Sequence, residues 1–424
     1  MKYVLYIILQ LLNFAQALSI PIVSNNETFI AYSKFFILNS LLLPIISYSA
    51  SNIFQKRYAY ADTPDLKSGI LSATTNIIII FLILMSVPSV YMVELFFPNS
   101  FSYIEKIIIV ISAFLVVMVE ITTAKFRVEL KERQIVTLLW SRIIFENIFR
   151  IPLIYFFVSD VLDLLIVLTL SFVPTLIFTF QKEWLKLRIT GLELELIIKN
   201  FPLFVASAFG VFILFADKVV ISERVDELVF ATILICSRFA NAMNIIFTKT
   251  FSMYLQGEVY TNTKNRSQAE LKSYFEDLRL KNLMYSTVVA ALVYFLSMVV
   301  LKIARYYGFY NLDDDFALFL FGCCIASFLN SLNFTASYIL TSDERFFEFG
   351  FISVVVAIIS IVVTSCSFGD NVGSFAVFCV IILPAAVNFV LLNLWIVVTF
   401  DSRHIKLVVL ALLPVMLGVL YGKS

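Results

Sequence analysis

Apolar runs of about 18 or more residues recur from one end of this chain to the other, and that property leaves few folds open. A run of that length crosses the hydrocarbon core as a helix whose backbone groups bond within their own segment. A membrane barrel would show short alternating segments instead, and the sequence has none. The runs lie at 3–23, 29–54, 69–91, 106–124, 135–158, 161–180, 201–222, 228–255, 282–303, 317–341, 349–367, 374–399 and 405–421. Composition agrees: 61% of the residues are hydrophobic and 14% charged, against about half and a quarter in a soluble domain. The expected fold is an all-α polytopic membrane protein with twelve or thirteen transmembrane helices. Residues 1–23 carry Lys2 ahead of apolar sequence, as a signal peptide does. Another span comes almost at once, so they read as an uncleaved first helix.

Charge sets the orientation. The connections 55–68, 125–134, 181–200, 256–281, 342–348 and 400–404, with Lys2 and Lys406, hold about 20 of the 31 Lys and Arg residues. The opposite side holds Lys106, Arg224, Lys302, Arg305 and Lys423, beside acidic stretches such as "LDDD" and "ERVDE". Cytoplasmic loops are the basic ones, so the N-terminus is expected in the cytoplasm. If 405–421 spans, Lys423 lies outside; if that segment lies in the interface, the C-terminus stays inside. In the 256–281 connection, "SQAE" has the form of a capping box, and Leu271, Tyr274, Phe275 and Leu278 come after it at helical spacing. That pattern predicts a short amphipathic helix on the inner membrane surface.

The chain also repeats itself. "FAQALSIPIVSNNETFIA" at 14–31 is echoed by "FADKVVISERVDELVFA" at 215–231. Each phrase begins Phe-Ala, crosses a polar patch containing a glutamate, and resumes apolar. Six spans precede 181–200 and six or seven come after it. The expected organisation is therefore a bundle at 1–180, a cytoplasmic linker at 181–200, a second bundle at 201–400 and an extra hydrophobic segment at 401–424. Two pseudo-symmetric six-helix bundles around a central cavity are a common transporter plan, with the substrate near the midplane.

Ionisable groups inside spans cost about 2.5–3.5 kcal/mol each at a helix centre, so each asks for a function. Nine stand out: Lys34, Glu120, Arg142, Glu146, Arg150, Asp217, Lys218, Arg238 and Lys249. Cations outnumber anions six to three. Arg142, Glu146 and Arg150 fall at i, i+4 and i+8, one stripe of an α-helix. Arg238 lies near the middle of its span, with Asn241 one turn further along the same face. Lys249 and Arg142 are within reach of the inner interface and Lys34 of the outer one, so snorkelling and a cavity are both open to them. Asp217 and Lys218 are adjacent and diverge by about 100°, which predicts no pair on one face. One of them is expected to face the cavity and the other to reach the outer interface.

A cation-rich cavity suits an anionic guest, and the arginine fork matches phosphate oxygens. Arg238, Arg150, Arg142, Lys218 and Lys249 are the candidate substrate-binding cations. Asp217, Glu146 and Glu120 are the candidates for coupling or charge balance. The cysteines at 236, 323, 324, 366 and 379 sit in apolar runs without metal or redox spacing, and read as small membrane hydrophobes. No catalytic, metal-binding or nucleotide-binding motif is present, and no cofactor is expected. His404, the single histidine, lies in a predicted cytoplasmic turn.

With these residues in view, the chain resembles the polysaccharide (O-antigen) flippases of the multidrug/oligosaccharidyl-lipid/polysaccharide exporter (MOP) superfamily. The resemblance is carried by "FPLFVASAFGVFILFADKVVIS" (201–222) and "ELVFATILICSRFANAM" (227–243). A proline opens the second half, Asp217-Lys218 close its first helix, and Arg238 stands near mid-span in the next. The polar first-loop patch and "QKRYA" (55–59) are also similar. The first helix departs from the pattern in lacking a cation before its polar patch. The thirteenth apolar segment departs from the usual twelve or fourteen.

The resemblance implies a flippase of the bacterial inner membrane that moves undecaprenyl-diphosphate-linked oligosaccharides to the periplasmic leaflet. It further implies a polysaccharide polymerase and a chain-length regulator as partners beside membrane lipids, no nucleic acid, and no enzymatic activity. Two other readings stay open. A multidrug cation/proton antiporter of the same fold would use Glu120, Glu146 and Asp217, although the set is net basic. A membrane glycosyltransferase such as an O-antigen polymerase would want a large external loop, and the external loops here are short.

Overall fold

A computed structural model describes residues 26–48, 63–128, 132–179, 191–244, 268–342, 346–367 and 373–400, with positions 12, 15, 19 and 20. Among the described residues the chain is helical between its turns. It forms an all-α polytopic membrane protein. In order the helices are α1 (Asn26–Ile46), α2 (Pro64–Phe96), α3 (Tyr103–Val128), α4 (Glu132–Ile143), a π-helical turn (Ile144–Ile148), α5 (Arg150–Phe157), α6 (Val161–Leu170) and α7 (Phe172–Thr179). Then come α8 (Leu192–Ile221), α9 (Glu227–Asn244), α10 (Gln268–Tyr306), α11 (Phe316–Ser342), α12 (Phe346–Ser367) and α13 (Ser374–Phe400). Every apolar segment from 29–54 to 374–399 thus carries a helix, while 405–421 and most of 3–23 lie outside the described residues. Six helices are long and apolar enough to cross a membrane among the described residues.

Local chemistry sets the helix starts. The Thr63 hydroxyl accepts from the Leu66 amide at 3.3 Å, and Pro64 occupies the first helical position. Ser102 and Glu105 cap α3 reciprocally. The Ser102 amide donates to Glu105 Oε2 at 2.6 Å, and the Glu105 amide to Ser102 Oγ at 3.4 Å. The echoed phrases each deliver a glutamate to the first turn of a helix, Glu27 in α1 and Glu227 in α9. A negative charge there stabilises the helix through its dipole.

The 256–281 connection departs from expectation. The helix begins at Gln268, one residue after Ser267, and runs unbroken to Tyr306. The predicted interfacial helix is the opening of α10. No glycine or proline interrupts 268–306, so nothing ends the helix at the membrane boundary. Its 39 residues extend about 58 Å, well beyond a hydrocarbon core of about 30 Å. Residues 192–200 of the predicted linker are likewise the first turns of α8.

The chain divides into two compact units, Met1–Val211 and Phe212–Ser424, the boundary falling inside α8. In the first unit Tyr48 is sandwiched between Phe81 and Phe204, at 4.3 and 4.6 Å between ring centroids. Its hydroxyl donates to the Ile197 carbonyl at 2.7 Å. In the second unit α11 packs closely on α13. A Cβ on Gly322 would meet the Phe378 ring at 3.0 Å, so any larger residue there would have to push that ring aside by a few tenths of an ångström. Phe378 itself is fully buried in a cluster with Phe328, Leu329, Ile382 and Phe389.

Candidate functional site

Each unit holds a buried charged constellation. In the first unit it lies where two helical segments break. Pro152 lacks an amide hydrogen and crowds the carbonyl four residues back, at Ile148, where the π-helical turn ends. Pro174 does the same to Leu170, where α6 ends. Arg150 and Ser171 stand just after these two breaks, and the structure brings them together. Arg150 Nε donates to Ser171 Oγ at 3.0 Å, and a second guanidinium nitrogen also reaches that oxygen. The guanidinium lies 5.1 Å from the Phe172 ring centroid, a cation–π contact. Arg150 is only 3% exposed.

The π-helical turn changes the predicted stripe. The Phe149 amide donates to the Ile144 carbonyl at 2.9 Å, a five-residue step, and the Asn147 side chain donates to the Arg142 carbonyl at 3.2 Å. Arg142 Nε still meets Glu146 Oε2 at 3.0 Å as α-helical spacing predicts. The wider turn then rotates α5 about its axis, and Arg150 bonds Ser171 of the neighbouring segment instead of continuing the row on Glu146. Glu146, 3% exposed, accepts a second bond from the Thr175 hydroxyl at 3.2 Å. Lys34 reaches the connection between α2 and α3. Its ammonium donates to Ser100 Oγ at 2.8 Å and lies 5.3 Å from the Phe97 ring centroid. Glu120 is half-buried on α3.

In the second unit a cleft with about 530 Å³ of empty space, its open side included, lies among α8, α9, α11 and α13. Each helix turns one face to it. Asp217 and Lys218 come from α8, Ser237 and Asn241 from α9, Cys323, Ser327 and Asn330 from α11, and Pro384 and Ala385 from α13. The spacings of three, four and seven are those of single helical faces.

The predicted divergence of Asp217 and Lys218 is not what the molecule does. Lys218 Nζ donates to Asp217 Oδ2 at 2.8 Å, the two are 4% and 8% exposed, and both line the cleft. Their Cα–Cβ bonds diverge, but the four-carbon lysine stem folds back to bring its ammonium to the carboxylate. The reason is that an unpaired ammonium or carboxylate buried here would cost more than a bent rotamer. Arg238 is half-buried on α9, next to Ser237. Lys249 lies outside the described residues.

Sequence reasoning counted ions and passed over their neutral partners. Ser171 and Thr175, Ser237 and Ser327, and Asn330 each read as an isolated polar residue in an apolar run. Helical periodicity would have placed Cys323, Ser327 and Asn330 on one face, and the paired prolines would have marked the breaks beside Arg150 and Ser171. Among the described cysteine side chains, Cys236, Cys323 and Cys324 are buried and free, and Cys379 is free and half-buried.

No sequence-family model matches the chain, and neither does any curated protein sequence. Solved structures do resemble it. An inward-facing multidrug resistance MATE family transporter of the MOP superfamily has a TM-score of 0.65 at 12% identity, over 98% of this chain and 94% of that one. A eukaryotic MATE transporter, AtDTX14, has 0.63 at 13% identity, over 96% and 95%. An outward-facing MATE family transporter has 0.63 at 14%, over 94% and 93%. The chain therefore has the MATE transporter fold along nearly its whole length.

Proposed function

We propose that this protein is a flippase that carries undecaprenyl-diphosphate-linked oligosaccharides across the bacterial inner membrane by alternating access. The observation that carries the reading is the charge of the polar row in the first unit. There the Arg142 guanidinium pairs with Glu146, which also accepts from Thr175, and the Arg150 guanidinium donates to Ser171, all within apolar helices. The row thus sets two guanidinium groups against one carboxylate where charge is costly, and such a set suits a guest that brings phosphate. Structures of this fold in inward- and outward-facing conformations support alternating access as the mechanism.

On this reading Arg142 and Arg150 replace water around the diphosphate, and Arg238 supplies positive charge in the second unit. Diphosphate carries about two negative charges. Its outward passage through the whole field of an inside-negative membrane is downhill by about 2.3 kcal/mol per charge per 100 mV. The protein then has only to lower the barrier. The N-terminus and the 256–281 connection are cytoplasmic, in keeping with the basic loops. The chain works beside a polysaccharide polymerase and a chain-length regulator.

Replacing Arg150 with Ala should abolish surface polysaccharide export while the protein remains inserted, and Arg150→Lys should rescue partly, because lysine lacks the fork. Unimpaired export by Arg150→Ala would overturn the reading. The second reading, a multidrug cation/proton antiporter, is favoured by the buried carboxylates of Glu146 and Asp217 and by what the structural neighbours are. Proteoliposomes loaded with lipid-linked substrate separate the two. The flippase responds to an inside-negative potassium diffusion potential without a pH gradient. An antiporter responds to the pH gradient and loses that response in Glu146→Gln or Asp217→Asn.

A further inference from the structure

The cleft of the second unit has the donor set of a cation site. Its lining includes one carboxylate, Asp217, and four side chains with neutral oxygens, Ser237, Ser327, Asn241 and Asn330. Hard monovalent cations are held by such oxygens. A transition metal is not indicated, because no group of three His, Cys, Asp or Glu side chains could hold one among the described residues. Asn330 adds a spare acceptor: its Oδ1 is buried and accepts no hydrogen bond from any described residue. A carboxylate as enclosed as Asp217 must find a positive partner or take up a proton. Here the partner is the next residue, at 2.8 Å.

We infer that Lys218 is a tethered cation. Its ammonium takes the place beside Asp217 that a sodium or potassium ion would otherwise fill, so this cleft draws no ion from solution. An ammonium brings three donors. The bond to Asp217 uses one, and the cleft that holds it is lined by the Asn330 acceptor. Among the described residues lining the cleft, the remaining titratable group is the Cys323 thiol on α11, and the lining residues of α13, Ile381, Pro384 and Ala385, bring none. A lysine cannot leave, whereas a free ion binds and departs with each cycle. Conformational change in this unit is therefore uncoupled, at this cleft, from any sodium or potassium gradient. Removing the ammonium while keeping the carboxylate should open the site.

The test uses the purified full-length chain, with radioactive sodium binding and melting temperature measured in sodium chloride and in N-methyl-D-glucamine chloride at equal ionic strength and pH. Wild-type protein should bind no sodium and melt alike in both. Lys218→Met and Lys218→Gln should each bind about one sodium per chain and melt about 3 °C higher with it. Adding Asp217→Asn should abolish both effects.

Two results overturn the idea: wild-type sodium binding that Asp217→Asn removes, or folded lysine variants that bind none. If the single variants do not fold in sodium-free buffer, recovery of monodisperse protein by sodium or potassium supports it. A defect that sodium, potassium and lithium all leave uncorrected overturns it. Sodium binding is read without lipid-linked substrate, so a failure here and a failure of the flippase reading remain separate results.

Discussion

The two units bury charge in opposite ways. In the first, the ions are strung along a helix, joined to hydroxyls of a neighbouring segment and left with one more cation than anion. In the second, a cation and an anion are next to each other in sequence and cancel inside a cleft. The number of buried ions is therefore a poor guide to what they do. The row retains guanidinium donors and net charge, as a binding surface for anions must. The pair carries no net charge, and its neutrality suits a region that has to change shape at little electrostatic cost.

Breaking the neutrality of the second unit should give the largest effect. Asp217→Ala leaves a buried ammonium alone and should destabilise the protein by about 3–5 kcal/mol in detergent-based unfolding. Asp217→Ala combined with Lys218→Met should recover most of that loss, and a double variant no better than the single would show that the pair does not act as a unit. In the first unit Ser171→Ala removes the acceptor of Arg150 and should cost about 2 kcal/mol by the same measurement. An unchanged stability would mean that the row is not held by that hydroxyl. Gly322→Ala presses on Phe378 where α11 meets α13 and should cost about 1 kcal/mol. Set beside the Asp217 variants, it asks whether helix approach or ion pairing holds the cleft together. The smallest effect belongs to the exposed pair Lys199–Glu195, bonded at 2.6 Å. Lys199→Ala should cost about 0.3 kcal/mol, and a larger loss would mean that surface pairs rival the buried ones.

The spans were legible because hydropathy over about 18 residues depends on nothing but the chain itself. The charged residues were legible for the same reason: an ion in an apolar run stands out wherever it folds. Their partners were not. The bond between Arg150 and Ser171 joins segments whose geometry depends on a π-helical turn and on a break before Pro174, and α-helical spacing assumes neither. The pairing of Asp217 with Lys218 was hidden by a rule about Cα–Cβ directions that a four-carbon side chain can defeat. The continuity of α10 was missed because a change from amphipathic to apolar sequence alters the surroundings of a helix without interrupting it.

The π-helical turn and the neutral cleft differ in one further respect, their response to voltage. Moving the Asp217–Lys218 pair through a membrane field displaces equal and opposite charge and does no net electrical work. Moving the row of Arg142, Glu146 and Arg150 displaces one positive charge, worth about 2.3 kcal/mol for the full field at 100 mV. The row is thus voltage-sensitive and the pair is electrically silent. A fast voltage step applied to a membrane packed with this protein should draw a transient displacement current from the row and none from the pair.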